Sequence, residues 1–225
     1  MRIPWKIEWL NWTLIAAMFL LTALAWGSAP ARLPVHWNWA GQIDGYGGKT
    51  EVMLGYPFGT LLLYLLLLVL PRVDPGRANY ARFSRAYSAV RLAIVAGAAA
   101  IYTATLLAGL GFPIDTSKVV LTMVGALLMV LGNFMGKLRP NWFVGIRTPW
   151  TLSSRTSWTK THRLGGWVFI VTGLSLIVAA LLQAQWAFLA SFSLLGLGVI
   201  WLTIYSYLVW RTDPNRVPPA GSRPE

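Results

Sequence analysis

Residues 132–166 read Gly132-Asn-Phe-Met-Gly-Lys-Leu-Arg-Pro-Asn-Trp-Phe-Val-Gly-Ile-Arg-Thr-Pro-Trp-Thr-Leu-Ser-Ser-Arg-Thr-Ser-Trp-Thr-Lys-Thr-His-Arg-Leu-Gly-Gly166. An apolar run leads into this stretch and another leaves it. It holds six of the nineteen Lys and Arg residues, three of the thirteen tryptophans, one of the two histidines and no acidic residue. Pro140 and Pro149 break helix, so Lys137 to Thr151 reads as a turn-rich segment. The stretch is a connector between two membrane spans, and it carries more Trp, Pro and Gly than a connector needs.

Composition agrees with a membrane protein. The 225 residues are 56% hydrophobic and 12% charged, which with several long apolar runs is the profile of a polytopic integral membrane protein. Cysteine is absent, so disulfides, thiol nucleophiles and cysteine metal sites are excluded.

The expected fold is all-α, with six transmembrane helices and a compact outer loop between helices 1 and 2. Trp5, Trp9 and Trp12 share one helix face suited to the headgroup level ahead of a span over residues 10–27. Ala29-Pro30-Ala31 resembles a signal-peptidase site, but Trp9 and Trp12 suit an interface anchor. In the loop at 30–51, Val35, Trp37 and Trp39 alternate with His36 and Asn38 like a short half-buried strand. Asp44-Gly45 and Gly47-Gly48 read as turns. Further spans are expected over 52–70, 89–111, 119–135 and 166–183, with the last ending near Trp210. The chain thus divides into a two-span unit (1–70), a basic loop with the third span (71–111), a three-span unit with an inner loop at 136–165 (112–210), and a proline-rich tail (211–225) read as disordered.

Charge sets the expected orientation. Sixteen basic residues fall on the side of the termini, against Arg32, Lys49 and Lys118 on the other. By the positive-inside rule both termini are then cytoplasmic and the 30–51 loop extracellular. The whole net charge of +12 falls on the inner side, so it reads as attraction to an anionic leaflet and not as direct nucleic-acid binding.

The spans offer no interior Asp, Glu, Lys, Arg or His, which argues against ion-coupled transport. Gly125, Gly132 and Gly136 form a small-residue stripe, and Gly55 and Gly59 form a second small pair. Both are read as tight packing within the chain. No G-x-S-x-G elbow, HExxH or carboxylate cluster is present, so neither an enzyme nor a metal or other cofactor is expected. A Ser-His-Asp set of Ser153, Ser154 or Ser157 with His162 and Asp74 stays open.

Within the central stretch, Asn133 is expected to bond a neighbouring helix, and Ser153 or Ser154 to cap the next one. Arg155, Trp158 and His162 then share one face, with Trp158 at the headgroup level and Arg155 and His162 reaching phosphates or a protein partner.

Gly132-Asn133, Pro140-Asn141, the run Gly145 to Leu152, Trp158, Thr161-His162 and Gly165 together resemble the signature of the SdpI family of bacterial membrane proteins. Pro34 to Asn38, Gly41, Asp44-Gly45 and Lys49 resemble a domain of unknown function often found ahead of it. The resemblance implies a six-span cell-membrane protein that neutralises a secreted peptide toxin and draws a soluble repressor to the membrane. It implies an inner partner site at Asn133, Asn141, Arg147, Thr148, Pro149, Trp150, Arg155, Trp158 and His162. It implies an outer toxin site at His36, Trp37, Asn38, Trp39, Asp44, Tyr46 and Lys49. Two other readings compete. One is an enzyme or transporter of lipid or envelope-precursor phosphates, gripping them with Arg147, Arg155 and Arg163. The other is a ligand-free assembly factor. Membrane lipids are partners under all three.

Overall fold

The computed structural model describes residues 5–38 and 42–217. In chain order it contains α1 (Trp5–Ala25), β1 (Arg32–Trp37), β2 (Ile43–Gly48), α2 (Lys49–Val73), a 3-10 turn (Arg77–Arg82), α3 (Ser84–Gly109), α4 (Thr116–Met135), a one-turn α5 (Pro149–Leu152), α6 (Arg155–Leu182) and α7 (Gln185–Arg211). All the α-helices except α5 are long and apolar enough to cross a membrane. The chain is an all-α polytopic membrane protein with one antiparallel hairpin, β1–β2. The hairpin covers one end of the bundle, the hairpin end. The connectors flanking the 3-10 turn and α5 meet at the other, the arginine end.

The first three spans are joined by a polar ladder that two prolines make possible. Pro57 and Pro71 lie inside α2, whose sequence alone suggested an end at Pro71. Proline has no N–H, so each frees the carbonyl four residues back. A bare carbonyl in lipid is costly and must find a donor. The carbonyl of Met53 accepts from Thr22 Oγ1 of α1 at 2.9 Å and from Tyr102 Oη of α3 at 3.4 Å. The carbonyl of Leu67 accepts from Tyr87 Oη of α3 at 2.6 Å. The helix breaks thus become inter-helix bonds. Thr22 and Met18 are buried in this core, so α1 is packed as a structural span.

A buried ion pair revises the expectation of charge-free spans. Arg91 of α3 bonds Glu8 of α1, and both are at most 2% exposed. Tyr64 Oη of α2 donates to Glu8 Oε2 at 2.7 Å, and the Arg91 guanidinium lies over the Tyr87 ring. The sequence reading put Glu8 ahead of the first span and Arg91 at the inner edge of the third, where it was counted with the basic loop. α1 starts at Trp5 and α3 at Ser84, so both side chains are enclosed. Such a pair holds because each charge finds several partners; removing one partner would strand the other.

The last three spans close on a glycine seam. α4 and α6 run antiparallel with Gly125 against Gly173 and Gly132 against Gly166. A Cβ on Gly125 would lie 2.6 Å from the Gly173 carbonyl, and one on Gly132 2.5 Å from that of Gly166. Backbone touches backbone, the packing that dispersion rewards in lipid. Gly136 sees only ordinary contact, and Gly55 and Gly59 face open space, so the second small pair does not pack within the chain.

Candidate functional site

At the arginine end, residues 136–154 form a clamped loop. Asp74, which follows α2 and is 1% exposed, is its anchor. Its carboxylate accepts from the Gly76 and Trp142 N–H groups and, at 2.8 Å, from Tyr80 Oη. Burial first, and then this bond, hold the Tyr80 phenol well above its usual pKa. Asn79 Nδ2 donates to the Pro140 carbonyl at 2.8 Å, tying the two connectors together. Asn141 folds the turn: Oδ1 accepts from the Phe143 and Val144 N–H groups, and Nδ2 donates to the Arg139 and Val144 carbonyls.

His162 holds the loop from below. Its Nε2 accepts from the Ile146 N–H at 3.0 Å, and its Nδ1 lies 2.7 Å from the Trp158 carbonyl. These partners assign one neutral tautomer, with the proton on Nδ1. The ring stacks on Trp158 at 4.0 Å, and Trp158 Nε1 donates to the Leu138 carbonyl at 3.1 Å. Gly145 makes the approach possible. Its φ is +112°, and a Cβ there would run into His162 Nε2.

α5 locks the far side. Thr148 caps it, Pro149 opens it, and Thr151 Oγ1 donates to the Ile146 carbonyl at 2.8 Å. Thr148 Oγ1 meets Ser206 Oγ of α7 at 3.0 Å, and Trp150 packs edge-on against Tyr207. Ser154 caps α6 and also donates to Asp213 Oδ2 at 2.5 Å, while the Val217 N–H bonds the Ser153 carbonyl. The segment read as disordered from 211 therefore begins with docked residues up to 217. The bond from Ser154, then that from the Asn215 N–H, hold the Asp213 carboxyl below its usual pKa.

This geometry redistributes the residues expected at an inner partner site. Trp158 and His162 are each 1% exposed and are spent on the loop, and Gly165 lets Ile146 of that loop sit close on α6. The reading that set Trp158 at the headgroup level and His162 toward a partner gives way to a core pair. Asn141 is buried, and Thr148 and Trp150 are half-buried. Arg147, Pro149 and Arg155 are exposed, and so is Asn133, which is not set between helices as expected. Arg147 Nη1 donates to the Trp142 carbonyl at 2.5 Å. The exposed aromatic surface consists instead of Trp142 and Phe143, which sequence reasoning passed over. The open Ser-His-Asp set does not form: Ser153 bonds Pro149, Ser154 bonds Asp213, Ser157 bonds Ser206, and both His162 nitrogens face backbone.

At the hairpin end, Leu33 is fully buried against Met18, Val52, Met53, Tyr102 and Leu106 and fixes the hairpin to the first three spans. The expected strand at 35–39 is observed as 32–37. Asp44-Gly45 and Gly47-Gly48, read as turns, lie within β2. The smallness of the glycines serves packing: a Cβ on Gly45 would lie 2.8 Å from His36 Cβ, and one on Gly47 2.9 Å from Val52. His36 Nδ1 and Asp44 Oδ1 meet at 2.5 Å on the exposed face. Lys49 reaches the carbonyls of Trp26 and Ala29, so it closes the end of α1. Asn38 Oδ1 accepts from the Gln42 N–H at 3.0 Å. Tyr46 is exposed and Trp37 half-buried; Trp39 lies outside the described residues.

Under the hairpin is an apolar cleft of about 550 Å³. Val35, His36, Trp37 and Asn38 form its roof, Tyr56, Ala98 and Ile101 one wall, and Val120, Leu121 and Phe188 the other. The structure thus gathers His36, Trp37 and Asn38 at one site, with Asp44 reaching it only through His36. The span residues of the cleft carry no sequence signal, since each looks like ordinary lipid-facing surface.

Residues 137–206 match the model of the SdpI/YfhL protein family. Residues 13–61 match a domain of unknown function, DUF1648. No curated protein and no solved structure matches the chain. The SdpI/YfhL match covers the clamped loop from Lys137, α5, α6 and most of α7, and the DUF1648 match covers most of α1, the hairpin and the first half of α2. The hairpin cleft lies between the two matched segments, with Val35 to Asn38 and Tyr56 from the segment that matches DUF1648 and Phe188 from the segment that matches SdpI/YfhL.

Proposed function

We propose that this membrane protein protects its cell against a secreted peptide toxin that acts at the membrane, and that the hairpin cleft receives the toxin. In this reading the hairpin end faces outward and the arginine end faces the cytoplasm, which the distribution of Lys and Arg supports. The observation that carries the proposal is the joint construction of the cleft. The segment that matches DUF1648 supplies the roof and one wall residue, the segment that matches SdpI/YfhL supplies Phe188, and α3 and α4 complete the walls. A cleft with apolar walls and polar groups in its roof, His36 and Asn38, suits a peptide with one apolar face. A peptide held there is withdrawn from the lipid it would otherwise disrupt.

The arginine end has a separate role in this reading. Trp142 and Phe143 stand exposed on a loop fixed by Asp74 and Asn141, beside Arg147. Rigid exposed aromatics next to arginine are the residues that anchor protein interfaces. This surface recruits a cytoplasmic repressor when the cleft is filled. The test is expression in a toxin-sensitive host without its own immunity protein, carrying a reporter under the cognate repressor. Wild type restores survival and induces the reporter. Trp142→Ala with Phe143→Ala keeps survival and loses induction. Failure of wild type to restore survival against any membrane-active toxin of its own strain would reject the reading.

A further inference from the structure

A second cleft, of about 1,070 Å³, opens at the arginine end. Arg82 from the 3-10 turn, Arg139 from the clamped loop and Arg155 from the start of α6 line it, each from a different element. None of the three guanidinium groups has a hydrogen-bond or ion-pair partner among the described residues. The lining holds one carboxylate, Asp213, and that one is engaged by Ser154 Oγ and the Asn215 N–H. Arg155 also sits where a cation is least comfortable. It is the first residue of a long helix with no acid in its first turn, where the helix dipole is positive. Three unpaired cations around a helix N-terminus leave an excess of positive charge that an anion would offset.

We propose that this cleft binds the phosphate of an anionic phospholipid headgroup, with Arg82, Arg139 and Arg155 as its ligands. The common chemistry is a phosphate held by guanidinium forks. Two features select a lipid over free phosphate. The cleft is far larger than a bare phosphate ion, and it opens at the ends of the spans, where headgroups lie. Its rim carries exposed Leu152 and Val217, apolar surface suited to the glycerol and upper acyl chains. A lipid bound here would bridge both connectors and the docked residues after α7, because Asn79, Pro140 and Val217 share the lining. This inference is independent of toxin protection.

The experiment uses the full chain in neutral detergent. Phosphatidylglycerol, phosphatidylcholine or inorganic phosphate is added, thermal unfolding is followed, and bound lipid is counted by native mass spectrometry. Wild type is expected to gain thermal stability with phosphatidylglycerol and not with the other two. Replacing Arg82, Arg139 and Arg155 together by Gln removes the gain and weakens phosphatidylglycerol retention by about tenfold or more. The control replaces Arg72, Arg77 and Arg163 by Gln, loses the same charge and keeps the gain. Should the first triple variant fail to fold, Arg155→Gln alone is expected to reduce lipid retention while Arg163→Gln does not. Equal losses in the cleft and control variants would overturn the proposal in favour of diffuse attraction. An equal gain from inorganic phosphate would overturn it in favour of a free-anion site.

Discussion

If Pro71 creates the acceptor that Tyr87 satisfies, the two residues must be energetically coupled. Tyr87→Phe keeps the buried ring and its place over Arg91 but removes the donor to the Leu67 carbonyl. In the parent background that carbonyl is left bare, because Pro71 has no N–H to give it. A buried unsatisfied carbonyl costs about 1–3 kcal/mol, and hydrogen bonds between membrane helices are worth about 0.6–1.7 kcal/mol in measured cycles. We expect a loss of about 1–2 kcal/mol. In a Pro71→Ala background, the residue 71 N–H closes the helical bond to Leu67, so Tyr87→Phe should cost less than about half as much. The assay is a double-mutant cycle on detergent-purified protein by reversible denaturant titration, with retention of monodispersity as the folding control. Equal losses in the two backgrounds would refute the argument that the proline break is what the tyrosine repairs. The Thr22, Tyr102 and Pro57 set, built on the same plan, would then need another explanation.

Gly145→Ala should lower thermal stability by about 5 °C or more, since a positive-φ position costs about 1–3 kcal/mol and the new Cβ displaces His162 from the Ile146 N–H; Gly136→Ala, with ordinary contacts, should stay within about 2 °C of wild type. The folded Asp213 carboxyl lies below its ordinary value of 3.8, so its bond to Ser154 stabilises the docked segment fully above that value and is lost as pH falls through the depressed one. Amide exchange at Val217 should therefore be protected at pH 7 and released in acid, and Asp213→Asn should remove the pH dependence. The orientation is checked with single cysteines in this cysteine-free chain: Gln42→Cys should react with a membrane-impermeant thiol reagent on intact cells and Lys160→Cys should not, and the reverse would invert every assignment of sides.

The spans were legible because long apolar runs and Lys/Arg asymmetry depend only on local composition. The hairpin was legible in part: alternation at Val35 to Trp39 gave a strand, but Gly45 and Gly47 looked like turns. Their true constraint, room beside His36 and Val52, is a contact across strands that local patterns do not encode. The seam glycines on α4 were visible, while their partners Gly166 and Gly173 were fixed only by the antiparallel register. The central stretch was recognised as a unit, yet which of its residues face outward was misjudged. Helical spacing puts Arg155, Trp158 and His162 on one side but does not say whether that side meets solvent or the folded loop. The anchoring roles of Asp74, Asp213 and Glu8 were not legible, because the side-chain and cross-connector partners that define them lie 6 to 83 residues away in the chain.

The central claim, toxin capture in the hairpin cleft, is tested most directly by filling the cleft without touching its roof. Ala98 is a small, half-buried wall residue, and Ala98→Phe places a ring in the space beneath Trp37. Survival is measured in a toxin-sensitive host, with surface expression and detergent stability measured on the same variant. The account predicts that Ala98→Phe loses protection while expression and stability stay near wild type. Full protection by Ala98→Phe, at equal expression, would contradict it.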